Sequence, residues 1–122
     1  MMKHSTRIAP PNSLVLVSDP GGGDIPGSMN QSLIAATDSC IAIGCRAEDD
    51  GETEIDLGLS NCVNTGDEPA FEGTLKTPNR KIAVRDVLGV VLLEMAVPAA
   101  ETIVRIWVND SKEPDKIIVG IM

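Results

Sequence analysis

The chain has 122 residues, a hydrophobic share of 43% and a formal charge of −8, which suits a globular protein and excludes a disordered polyanion. With one Trp, one Phe and no Tyr it lacks stacking aromatics, and together with the acidic balance this argues against direct nucleic-acid binding. No apolar run reaches the ~20 residues of a membrane span or the length of an export signal, and three cysteines, an odd number, fit a reducing cytoplasm better than a disulfide framework.

Residues 1–12, with Lys3, His4, Arg7 and the Pro10–Pro11 pair, read as a flexible leader, and residues 13–122 as a single domain. A first strand is expected at Leu14–Ser18. The stretch DPGGGDIPGS (19–28) is a loop on turn chemistry. It lacks both the GK[ST] ending of a phosphate loop and the GxGxxG spacing of a dinucleotide fold. Ser28 stands where an N-cap would open one short helix over 29–36, with irregular chain as the alternative.

From residue 39 onward the apolar pattern has period 2. Ile41, Ile43 and Cys45 share a face; so do Thr53, Ile55, Leu57 and Leu59, opposite Glu54, Asp56 and Gly58. Ile82 with Val84, then Val91, Leu93, Met95 and Val97, continue the alternation. Val104, Ile106 and Val108, and then Ile117, Val119 and Ile121, complete it. The clusters NTGDEP, TPNR, DVLG, PAAE and NDSKEPD separate these runs. Short strands at such spacing, without helix-length crossovers, predict an all-β, two-layer, mainly antiparallel β-sandwich.

The stretches TLKTPNRKIAVRD and PAAETIVRIWVNDSKEPDKIIVGI, with AATDSCIAIGC upstream, resemble the competence protein J family of small bacterial β-sandwich proteins. The order of elements agrees over roughly residues 13–122. Family members often carry an acidic, tryptophan-containing start to the short helix, where this chain has GSMNQ. The resemblance implies a sandwich fold and, by the member that names the family, a nuclease-inhibitor role. It implies no catalytic residue.

The chemistry-bearing residues are few. Cys40 and Cys45 are an odd number of positions apart and fall on opposite strand faces, and the CxxC pairs of a zinc site are missing. Inert thiols are expected, with no metal and no cofactor. His4, the single histidine, lies in the leader and can join no Ser–His or Cys–His pair. In TIVRIWVND the core face takes Val104, Ile106 and Val108, which leaves Trp107 outside, covered by a loop or by a second subunit.

The segment RAEDDGETEID places Glu48, Asp49, Asp50, Glu52, Glu54 and Asp56 within nine positions. Between Arg46 and Glu72 nine acids face one base, and the remainder of the chain is neutral. The spacing does not match a calcium loop, and no sugar platform accompanies an acid pair. Two readings lead, and a metal-dependent or carboxylate enzyme stays open as a third. The row could protect an edge strand against aggregation, or it could be a docking face that steers a basic partner. The expected function is a non-enzymatic binding protein, an inhibitor or immunity-like partner of a basic enzyme such as a nuclease. The alternative is a structural or homo-oligomerising sandwich with contacts through Trp107.

Overall fold

A computed structural model describes residues 3–29 and 31–122. Ten strands follow in chain order among them: β1 (Lys3–Ile8), β2 (Leu14–Ser18), β3 (Ile34–Ala36), β4 (Cys40–Gly44), β5 (Thr53–Leu59), β6 (Phe71–Lys76), β7 (Lys81–Asp86), β8 (Val91–Ala96), β9 (Glu101–Val108) and β10 (Lys116–Ile121). A four-residue helix, α1 (Ser60–Val63), joins β5 to β6. No helix among the described residues is long and apolar enough to cross a membrane.

The strands form two five-stranded sheets, in the orders β1-β5-β10-β9-β6 and β3-β4-β2-β7-β8. Every pairing is antiparallel except that of β5 with β10. This is the all-β sandwich that the alternation predicts. One side of each sheet supplies the core: Ile55, Leu57, Val104, Ile106, Ile117 and Val119 meet Val15, Val17, Ile43, Ile82 and Val84, all fully buried. Burying each such aliphatic chain stabilises the fold by about 1.5–3 kcal/mol, so an aliphatic set suffices for the centre of the core, with Phe71 packed at its margin. Cys45 joins this core while Cys40 packs on the opposite face with Leu16 and Ala42, as the odd spacing requires.

Three expectations need correction. Residues 3–8 are not a flexible leader: β1 pairs antiparallel with β5 from Lys3 opposite Gly58 to Ile8 opposite Thr53. Its outward side chains find charged partners on β5, so the strand is held without a strong apolar signal. No helix occupies 29–36. Residue 30 lies outside the described residues, but Ile34–Ala36 is strand β3, paired with β4, because Ile34 packs against the core. Val91 is exposed, although its period places it with Met95 and Val97. A register shift between Val84 and Arg85 sets Arg85 opposite Val91 and Val84 opposite Leu93, and this bulge turns Leu92 toward the core instead.

Register also decides which loops meet. β4 ends beside the start of β2 and the end of β7, since Leu14 faces Gly44 and Val15 faces Asp86. In the other sheet β5 and β10 both begin at that end, while β9 finishes there, with Ile117 opposite Val108. The segments 45–52, 87–90 and 109–115 therefore gather at one end of the sandwich. Backbone bonds join them: Arg46 N–H donates to the Pro114 carbonyl at 3.0 Å and Glu54 N–H to that of Asp115 at 2.8 Å.

Candidate functional site: an acidic end of the sandwich

The acidic segment divides into two groups with different surroundings. Glu54 and Asp56 project from β5 on the outer face of its sheet. Glu54 pairs with Arg7 at 2.8 Å and Lys116 at 3.1 Å. Asp56 is only 2% exposed; it accepts a hydrogen bond from Ser5 Oγ at 2.7 Å and lies 3.5 Å from Lys3 Nζ and 3.9 Å from Lys116 Nζ. Three bases thus neutralise two acids. Edge protection does not describe this row, because β5 lies between β1 and β10. Nor does it form a free ladder of charge with Glu52.

Among the described residues, the other four acids form no such ion pair. Glu48, Asp49 and Asp50 form an exposed 3-10 turn, and Glu52 beyond it is exposed as well. This turn crosses from one sheet to the other and does not close a hairpin. Gly51, at φ 126°, bends the chain where a side chain would be strained. Arg46 folds back over the turn, donating through Nη2 to the Asp50 carbonyl and pairing through Nη1 with Asp115 at 3.4 Å.

Across from this turn the 109–115 loop brings three acids that the sequence pattern left unremarked: Asp110, Glu113 and Asp115. Asn109 Nδ2 donates to Asp115 at 2.6 Å, and Asn109 Oδ1 accepts from the Asp115 and Lys116 backbone N–H groups at 3.1 Å each. The N–H groups of Lys112 and Glu113 donate to Asp110 at 2.7 and 3.1 Å and hold its carboxyl below the usual carboxylate range. An open cleft of about 500 Å³ runs between Arg46, Asp50, Asp110, Glu113 and Asp115. In total, seven carboxylates and two bases, Arg46 and Lys112, share this end in residues 46–52 and 109–115. The signal for the second loop was present in NDSKEPD, but its meeting with the first depends on the parallel β5–β10 pairing. No group of three His, Cys, Asp or Glu side chains among the described residues is arranged to hold a metal ion.

Trp107 is 4% exposed and is covered by the chain itself. Its indole packs against Val63 and Ile118 with Cys62 alongside, and Nε1–H donates to the Asp67 carbonyl at 2.9 Å. Of the two covers expected, loop and second subunit, the loop is the one observed. The thiols of Cys40 and Cys45 are buried, and burial pushes both up from the ordinary range. Cys62 is half-buried, and all three are unpaired.

No family model matches this chain, and no curated protein matches it. Among solved structures it is similar to "Crystal structure of ComJ, inhibitor of the DNA degrading activity of NucA, from Bacillus subtilis", with a TM-score of 0.68 and 14% identity over 99% of this chain and 97% of that one. At that identity the likeness is one of fold, along nearly the whole length of both chains.

Proposed function

We propose that this protein is a non-enzymatic binding protein that captures a basic protein, of the kind a nuclease presents, through the acidic end of its sandwich. The observation that supports this is the segregation of charge: Glu48, Asp49, Asp50 and Glu52 stand exposed beside Asp110, Glu113 and Asp115, whereas Glu54 and Asp56 are neutralised within the fold. An end with a net excess of carboxylates accelerates encounter with a basic partner and fixes its orientation. The fold shared with an inhibitor of a DNA-degrading enzyme supports the choice of a nuclease. Three free cysteines support a reducing, cytoplasmic setting. The alternative, oligomerisation through Trp107, is opposed by the burial of that indole.

Immobilised protein should retain a basic protein from a native lysate of its own source, with capture weakening as salt rises. Neutralising the turn (Glu48→Gln, Asp49→Asn, Asp50→Asn, Glu52→Gln) should reduce capture at least tenfold without loss of fold. Equal capture by the variant would reject the acidic end as the binding surface.

A further inference from the structure

A second cavity, of about 320 Å³, opens on the outer face of the sheet that carries β9 and β10. Trp107 and Ile118, cross-strand neighbours on that face, form its apolar floor, with Ala70 beside them. The 64–70 segment forms its wall and is held in place by its own bonds. Gly66 N–H donates to Asn64 Oδ1 at 2.7 Å, Ala70 N–H to the Ile106 carbonyl at 2.8 Å, and Trp107 Nε1–H to the Asp67 carbonyl at 2.9 Å. The exposed carboxylates of Asp67 and Glu68 belong to this lining. Lys116 is the base there, and its ammonium is already engaged by Glu54 and Asp56.

We propose that this cavity receives an arginine side chain of the basic partner, its alkyl stem against Ala70, Trp107 and Ile118 and its guanidinium at the Asp67 and Glu68 carboxylates. The assignment rests on the protein being a binder of a basic partner, and it names a specific anchor for that contact. An apolar floor with a carboxylate rim complements a side chain that is apolar along its stem and cationic at its tip. Arginine suits it better than lysine, because a guanidinium is weakly hydrated and forks onto carboxylates. The cavity has the size of a small-ligand site, where a few placed polar groups set specificity. An anionic occupant would meet two exposed carboxylates and a base already spoken for.

Trp107 is the single tryptophan, so its indole N–H resonance reports on the cavity without any partner present. The protein would be titrated with N-acetyl-arginine amide at constant ionic strength, with the lysine and citrulline amides in parallel. The arginine compound should shift the resonance saturably in the millimolar range, the lysine compound several-fold more weakly, and the uncharged citrulline compound not at all. In Asp67→Asn with Glu68→Gln the arginine response should weaken at least fivefold. The Asp67 backbone carbonyl that accepts from the indole is retained in that variant, and an unchanged melting temperature would confirm an intact fold. No saturable shift, an equal response to citrulline, or an undiminished response in the double variant would each overturn the assignment. A silent indole combined with lysate capture that depends on the acidic turn would remove the arginine site and leave the binding function standing. An arginine response without lysate capture would do the reverse.

Discussion

Asp19 shows how a carboxylate in this protein can be spent on structure. It is 1% exposed, and it ties the loop after β2 to the turn between β6 and β7. Its Oδ1 accepts from Gly21 N–H at 2.7 Å and Asn79 Nδ2 at 2.8 Å, and its Oδ2 from Asn79 N–H at 2.7 Å. Burial raises the carboxyl pKa, but the donors from Asn79 and Gly21 outweigh it and hold the group below its ordinary value of 3.8. A depressed native value means that this contribution is complete above the unfolded pKa and is lost as pH falls through the native one. Asp19→Ala, which strands three donors, should cost about 1–3 kcal/mol at neutral pH. The gap to the parent should narrow only as pH falls below the ordinary value of 3.8 and through the depressed native one, where the wild-type carboxylate protonates as well. Urea unfolding of both proteins at neutral and acidic pH measures the difference. A gap that stays constant with pH would mean that the cost is one of packing.

At the scale of the element, legibility follows the range of the interactions. β2, β4, β5, β7, β9 and β10 were readable because alternation of core residues is a local property. β1 was not, for its sequence KHSTRI offers a single aliphatic residue, Ile8. Its signal is the polar alternation Lys3, Ser5, Arg7, which matches Asp56 and Glu54 on a strand some fifty positions later. That match can be recognised only once the pairing is known. β3 is too short to show a period, and the shift opposite β8 depends on packing. The two halves of the acidic row should accordingly respond differently to substitution. Asp56→Ala leaves Ser5, Lys3 and Lys116 without their buried acceptor and should destabilise by about 1–3 kcal/mol, whereas Glu48→Gln on the exposed turn should fall within ~0.5 kcal/mol of wild type. Hydrogen exchange should locate the damage of Asp56→Ala in β1 first, because this edge strand rests on few apolar contacts. Uniform acceleration over β9 and β10 would show that β1 does not open as a separate unit.

Over the whole molecule, charge is distributed by topology. The acidic run around residue 50 was visible in the sequence, yet its division was not: bases on β1 and β10 neutralise two of its members, and the 109–115 loop restores the acidity on the other side. The same topology leaves Leu88, Val90 and Val91 exposed on the β7–β8 hairpin at this end, in a turn that Asp86 stiffens by accepting from the Leu88 and Val90 N–H groups at 2.9 and 3.0 Å. Seven carboxylates gathered on two neighbouring loops repel one another in the folded state and separate when the chain unfolds. Salt screens that repulsion over about 10 Å at 0.1 M, so raising sodium chloride from low to physiological strength should increase the wild-type melting temperature. The ion pairs of Glu54 and Asp56 oppose the trend, but Asp56 is buried and its interactions are screened less. In the variant with Glu48, Asp49, Asp50 and Glu52 neutralised, the rise should shrink or vanish, and its melting temperature at low salt should equal or exceed that of wild type. Thermal unfolding of both proteins across a salt series checks this in the absence of any partner. If both rise equally, the repulsion lies elsewhere in the molecule, and the acidic end is not the concentrated charge on which partner capture depends.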